Sequence, residues 1–144
     1  MTKPTRRGAP FAAHHPWDRN FFLAFLALCW FGVVMGFGPQ VMLRFTGKAD
    51  YPASIVLQIH AIAFPAWLML LTLQVLLVRV RRTDLHRRLG VAALVLIPVM
   101  AVTGIWAEIL SQRFYGPEPE NQSFFIIPIA YVVMFTVLAG AALV

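Results

Sequence analysis

Charged residues are scarce in this sequence of 144 residues. Only 12% of the residues are Asp, Glu, Lys or Arg, whereas 60% are hydrophobic. Ordinary soluble domains are about a quarter charged and about half apolar. The composition therefore excludes an ordinary soluble domain and indicates a protein whose natural solvent is lipid.

Cysteine and histidine are scarce as well. The single cysteine, Cys29, cannot form an intrachain disulfide, and we interpret it as a small buried apolar side chain. Only one histidine, His60, lies within an apolar run. No His, Cys or carboxylate cluster has the spacing of a metal site. No nucleophile with a base, phosphate loop or pair of carboxylates occurs either, so the sequence offers no catalytic residue.

Long apolar runs, by contrast, are abundant. A helix rises about 1.5 Å per residue and needs about 20 residues to cross a hydrocarbon core of about 30 Å. Backbone groups in lipid must be satisfied internally, and no even alternation of polar and apolar residues favours a β-barrel. The sequence therefore predicts an all-α, polytopic transmembrane helix bundle. Its four predicted spans are 20–43, 53–78, 89–110 and 123–144.

The chain divides into a basic arm, residues 1–19, and the bundle, residues 20–144. The apolar run that follows the arm is too long for a signal peptide and has no cleavage site, so we interpret it as a retained span. The last apolar run stops at Val144 without the interfacial flank that final spans usually carry. We therefore expect the bundle to continue beyond residue 144.

Basic residues are distributed unequally over the loops. With the N-terminus and the second loop in the cytoplasm, nine of the twelve Lys and Arg residues lie inside. The positive-inside rule then predicts a cytoplasmic N-terminus. The second-loop cations are Arg79, Arg81, Arg82, Arg87 and Arg88.

These five arginines flank apolar runs, where basic residues orient a membrane protein. The excess of Lys and Arg over Asp and Glu therefore does not indicate a nucleic-acid partner. A surface cation contributes about 1 kcal/mol of attraction to anionic lipid. We predict that the five side chains bind the headgroups of the bilayer. Thr83 or Asp84 in the same loop is predicted to cap the third helix by accepting hydrogen bonds from its free amides.

Three side chains with polar groups, His60, Trp67 and Gln74, recur every seven residues in the second span. On an α-helix all three lie within about 40° of one another, and successive members are about 10 Å apart along the axis. Because unpaired polar groups are costly in lipid, this polar stripe is predicted to face the bundle interior. The predicted inward neighbours are Gln40, Thr103, Tyr131 and Thr136.

Two roles for the polar stripe stay open. A buried imidazole and amide can hold helices together, or His60 can bind a haem or hydrogen-bond a quinone headgroup. Because His60 is the only histidine within a span, a haem b would need its second axial ligand from another subunit, from residues beyond this sequence, or from Met100 or Met134.

In the first span, Gly32 and Gly36 have the small-xxx-small spacing of close helix packing. We favour an intrachain packing face there over a homodimer seam.

The run from the polar stripe to Leu85-His-Arg-Arg-Leu-Gly90 resembles a group of uncharacterised bacterial multi-pass membrane proteins, in which a histidine-bearing helix precedes a basic loop. The resemblance covers about thirty residues. It implies an inner-membrane helix bundle and brings no assigned reaction. The plan is superficially similar to that of cytochrome b561-type proteins, but the paired intramembrane histidines that those proteins need are absent here.

The leading hypothesis is a non-enzymatic helix-bundle membrane protein, an accessory subunit that assembles with other membrane subunits. The alternative is a redox protein that holds haem b or a quinone near His60. A small transporter is a third hypothesis, and it rests on the prolines expected to break the helices. Those prolines are Pro39, Pro65, Pro98 and Pro128.

Overall fold

The computed structural model describes residues 17–49, 52–115 and 119–143, and within these ranges the side chains of all residues except 18, 19, 115 and 119–124. Their backbone is helical, without strands, so the predicted all-α class is confirmed. The described residues form five helices: α1 (Asp18–Phe45), α2 (Ile55–Arg79), α3 (Thr83–Gly90), α4 (Ala93–Tyr115) and α5 (Pro119–Ala141).

Three helical segments are long and apolar enough to cross a membrane: Asn20–Phe45, Ile55–Arg79 and Thr83–Phe114. They contain or closely match the first three predicted spans. The fourth predicted span corresponds to a shorter apolar helix, Phe125–Ala141. Length and composition therefore identify a helical membrane protein.

The first two helices end in the same backbone arrangement. After α1, Gly47 has a φ of 69° and the Lys48 N–H donates to Leu43 O at 2.8 Å. After α2, Arg81 has a φ of 59° and the Arg82 N–H donates to Leu77 O at 2.8 Å. A left-handed residue followed by a six-to-one hydrogen bond satisfies the last helical carbonyls and stops the helix.

The predicted second loop is mostly helical. Residues Thr83–Gly90 form α3, and a turn at 91–92 connects it to α4. The predicted cap is wrong, because the capping position is Arg82 and no side chain caps the helix there. Thr83 and Asp84 lie in the first turn of the helix instead of before it, so their oxygens are not placed to cap it.

The prolines do not break the helices. Pro39, Pro65, Pro98 and Pro128 lie inside α1, α2, α4 and α5, and each helix continues past its proline. The connection between the last two predicted spans is also shorter than their bounds imply, because α4 extends to Tyr115 and α5 begins at Pro119. Proline suits the first turn of a helix, where its missing N–H would have no helical partner.

The described helices pack around α2 and α4. The backbone of α1 approaches α2 alone, whereas α4 lies between α2 and α5 and α3 contacts both α2 and α4. The buried centre consists of Leu70, Ala93 and Ile97, with Trp67 and Phe135 packed against it. The core of the bundle is therefore formed by α2, α4 and α5.

Two hydrogen bonds between described residues join helix α1 to α2. Trp30 Nε1 donates to Thr72 Oγ1 at 3.1 Å, and Arg79 Nη1 donates to Asn20 Oδ1 at 3.3 Å. The second contact joins the start of α1 to the end of α2. We call this end of the bundle, which also carries α3, the basic end, and the end at Phe45 and Ile55 the opposite end.

The small-residue pair of α1 does not pack within the described chain. A Cβ placed on Gly32 or Gly36 would meet nothing within 4 Å. The prediction of an intrachain packing face at these glycines is therefore wrong. Only 6% of the most apolar stretch of α1 is buried, because the helix touches a single neighbour.

Candidate functional site

The polar stripe begins at His60, a half-buried residue on the face of α2 that packs against α4. Its Nδ1 lies 3.1 Å from Thr103 Oγ1, and the Thr103 hydroxyl donates to Val99 O at 2.6 Å. A hydroxyl has one hydrogen to donate, and that of Thr103 is used on Val99 O. His60 Nδ1 therefore carries a hydrogen and donates a hydrogen bond to Thr103 Oγ1. The second ring nitrogen, Nε2, then keeps its lone pair and can accept a hydrogen bond or bind a metal.

Gly104 allows α4 to approach the His60 ring. A Cβ on Gly104 would lie 3.3 Å from His60 Cε1 and 3.2 Å from Val132 Cγ2 of α5. Both distances are tighter than ordinary contacts, so the missing side chain permits three helices to meet at one level. Sequence reasoning missed this residue. The available signal was a lone glycine inside an apolar helical run, where glycine usually has a packing reason.

Trp67 is a packing residue in the middle of the polar stripe. Its ring meets Phe135 of α5 edge-to-face, with centroids 5.1 Å apart. It also packs against the buried centre formed by Leu70, Ala93 and Ile97. Aromatic pairs in this arrangement contribute about 0.5–1.5 kcal/mol beyond their burial. Trp67 therefore joins α2 to α5 across the core.

Gln74 ends the polar stripe against α3. A Cβ on Gly90 would lie 3.4 Å from Gln74 Nε2. Within the described residues, Gln74 Oε1 and His86 Nδ1 are buried and have no hydrogen-bond partner. His86 and Gly90 are four residues apart, so they share a face of α3. The polar stripe therefore ends at α3 with Gln74 Oε1 unpaired among the described residues, and α3 carries a second such atom, His86 Nδ1.

Of the predicted inward neighbours, Thr103 is the one that hydrogen-bonds the polar stripe. Tyr131 is 61% exposed, and Gln40 is exposed near the opposite end of the bundle. Thr136 donates its hydroxyl to Val132 O at 2.8 Å, one turn back on its own helix. Side chains of this kind can satisfy themselves locally, so polarity alone does not identify which residue meets His60.

The two methionines considered as second haem ligands differ in their surroundings. Met100 is buried on α4, one turn before Thr103, whereas Met134 is 51% exposed on α5. No group of three or more His, Cys, Asp or Glu side chains that could hold a metal ion occurs among the described residues. A metal at His60 would therefore need ligands other than such a cluster.

The five arginines predicted to bind headgroups are gathered at the basic end. Arg79, Arg81 and Arg82 follow one another at the end of α2, and all five side chains are exposed. The other two, Arg87 and Arg88, lie in the last turn of α3. Exposed cations at the end of an apolar helix are placed where anionic headgroups would lie, and binding to lipid stays a prediction.

Comparisons of the chain with models of protein families, with curated proteins and with solved structures found no match.

Proposed function

We propose that this chain is a non-enzymatic helix-bundle protein of the bacterial inner membrane and an accessory subunit of a larger membrane assembly. The observation that supports this proposal is the bare face of α1, on which Gly32 and Gly36 have nothing within 4 Å. Small residues one turn apart let a second transmembrane helix approach closely, and the described chain brings no helix to them.

The polar stripe supports the non-enzymatic part of the proposal. His60 is hydrogen-bonded to Thr103, and Trp67 is packed on Phe135. Gln74 lies against Gly90. Each residue thus has a role in joining helices, and none requires a reaction to account for its position.

Native mass spectrometry of the full chain, extracted from its membrane in a mild detergent, tests the assembly. We expect a complex heavier than the 16.2 kDa of this chain and containing a different membrane subunit. Gly36→Leu should dissociate it, because a leucine holds the partner helix away. Val34→Leu is the control, because Val34 is also exposed but lies about 160° around the helix from Gly36. A monomeric natural chain, or a complex that Gly36→Leu leaves intact, would contradict the proposal.

A redox role at His60 is the second candidate, and the tautomer of the imidazole favours it. Histidines that ligate metals usually donate their other ring N–H to a nearby acceptor, which fixes the ring and its lone pair. The Nδ1 donation to Thr103 and the Thr103 donation to Val99 O produce this arrangement. A haem or quinone would then be bound through Nε2.

A visible absorption spectrum of the purified protein separates the two candidates. Haem b gives a Soret band, which His60→Leu should abolish and Thr103→Val should shift or weaken. A quinone is detected by extraction into organic solvent and chromatography, with the same two variants. A colourless protein that also yields no quinone would rule out the second candidate and leave the first.

A further inference from the structure

A cleft lies at the opposite end of the bundle, about one helical turn beyond His60 and Thr103 and remote from the α2–α3 turn. It is partly open, has a volume of about 530 Å³, and is bordered by α1, the start of α2 and the last turns of α4. Small-molecule sites are commonly clefts of about 300–1,000 Å³ with apolar walls and a few polar groups. The size of this cleft falls in that range.

Every polar side chain that lines the cleft carries a hydrogen-bond donor. Arg113 lies near the end of α4, and its guanidinium has five N–H donors and no acceptor. Ser54 caps α2 by accepting from the Leu57 N–H at 3.3 Å, so its own hydroxyl hydrogen stays available to donate. Ser111 supplies a second hydroxyl, and Gln40 supplies an amide group.

No carboxylate lines the described part of this cleft. The nearest described acid along α4 is Glu108, whose Oε1 accepts a hydrogen bond from Gln112 at 3.1 Å. A site with several donors, one permanent positive charge and no lining carboxylate selects an anion. An arginine fork matches the oxygens of a phosphate group particularly well.

The deeper wall of the cleft is apolar. Ala107 and Leu110 line it further from the end of α4 than Arg113 does, and Leu57 lies one turn inward from Ser54 on α2. At about 1.5 Å per residue, Ala107 lies about 9 Å before Arg113 along α4, towards the middle of the bundle. The charged group thus lies near the helix ends and apolar side chains lie further in, in the same order as the headgroup and tail of a lipid molecule.

We propose that this cleft binds an anionic phospholipid of the surrounding bilayer. The phosphate accepts hydrogen bonds from Arg113, and the first part of one acyl chain lies along Leu57, Ala107 and Leu110. Because the cleft is partly open, the rest of the lipid extends into the bilayer. This site is separate from the arginines of the basic end and would act in the other leaflet.

Photo-crosslinking tests the proposal in nanodiscs that contain the full chain. The probe is phosphatidylglycerol with a diazirine on one acyl chain, and a phosphatidylcholine probe of the same tail serves as the comparison. We expect phosphatidylglycerol adducts on residues 107–114, mapped by peptide mass spectrometry. Arg113→Gln should reduce them about tenfold, which is the effect of removing one hydrogen bond to a charged group.

Matched variants make the result specific. Lys48→Gln removes a positive charge at the same end of the bundle from an exposed residue that does not line the cleft, so it should leave the adducts unchanged. Leu110→Trp narrows the apolar wall without changing charge and should also reduce them. Adducts at the basic end should be the same in all variants.

Three outcomes would overturn the proposal. Equal labelling by the phosphatidylcholine probe would show that the phosphate charge is not recognised. An equal loss in Lys48→Gln would show a general effect of surface charge. Displacement of the probe by millimolar inorganic phosphate would show a site for a free anion, with no role for the acyl chain.

Discussion

At the residue scale, His60 and Gly104 form one structural unit. The imidazole hydrogen-bonds Thr103, and the adjacent glycine lets the backbone of α4 lie over the ring. A hydrogen bond between membrane helices is worth only about 0.6 kcal/mol on average. Close packing must therefore supply much of the stability at this level. The absent side chain of Gly104, which permits close packing, therefore contributes to the stability of this level together with the hydrogen bond of His60.

Gly104→Ala should destabilise the bundle. Its Cβ would lie 3.2 Å from Val132 Cγ2 and 3.3 Å from His60 Cε1, and overpacking of this kind costs about 1–3 kcal/mol. Against this cost, alanine is about 1 kcal/mol more favourable than glycine inside a helix. The control is Gly140→Ala on α5, where nothing lies within 4 Å and only the gain applies. Thermal unfolding in detergent should therefore give a lower midpoint for Gly104→Ala than for Gly140→Ala, and the reverse order would refute the close approach.

Gln74→Met should stabilise the bundle. Gln74 Oε1 is buried and has no hydrogen-bond partner among the described residues, and such an atom costs about 1–3 kcal/mol. Methionine has a similar length and no such oxygen. We expect the unfolding midpoint to rise, whereas Gln58→Met, at an exposed glutamine that donates to Ala53 O at 3.0 Å, should not raise it. A clear loss of stability in Gln74→Met would show that this oxygen has a partner outside the described residues.

At the scale of helices and turns, the end of α2 is strained. Arg81 adopts a φ of 59°, a conformation that costs a residue with a Cβ about 1–2 kcal/mol. The equivalent position after α1 is Gly47, with a φ of 69°. Arginine at this turn thus keeps a positive charge where a glycine would suit the backbone better.

Arg81→Gly should therefore raise the free energy of unfolding by about 1 kcal/mol. Arg81→Asn should do so to a smaller extent, because asparagine tolerates the left-handed region better than most residues. Arg82→Gly removes the same charge at a φ of −94° and is the control. It should not stabilise the protein. If all three variants were equally stabilising, relief of repulsion between arginines, and not backbone strain, would be the cause.

The sequence predicted the long helices well, because their length is dictated by the thickness of the bilayer. It did not predict α3, since the eight residues Thr83–Gly90 are mostly polar and too few for a reliable helical period. The pairing of His60 with Thr103 could not be chosen over Tyr131 or Thr136. That choice depends on which helices are neighbours, and helical periodicity describes one helix at a time.

At the scale of the whole molecule, the bundle has a packed part and a loosely attached part. Helices α2, α4 and α5 share the buried centre, whereas the backbone of α1 approaches only α2. The hydrogen bond between Arg79 and Asn20 nevertheless brings the start of α1 beside the end of α2. Residues that flank these two helix ends must therefore lie on the same side of a membrane.

This arrangement sharpens the topology that the charges predict. Five arginines lie at the basic end, and the sequence has four further Lys and Arg residues before residue 20, and α1 starts at that end, so nine of the twelve flank it in the sequence. The opposite end has Arg44, Lys48 and Arg113. Cytoplasmic loops carry the excess of Lys and Arg, so the basic end should face the cytoplasm.

Single-cysteine labelling measures this orientation directly. Cys29 is replaced by Ser, and a cysteine is introduced at Lys48 or at Thr83, which are both exposed and lie at opposite ends of the bundle. A membrane-impermeant thiol reagent applied from the periplasmic side should label Lys48→Cys in intact membranes. It should label Thr83→Cys only after the membrane is permeabilised. The reverse pattern would place the basic end outside. Labelling of both sites in demonstrably sealed membranes would mean that the chain inserts in two orientations, which a nine-to-three division of charge should prevent.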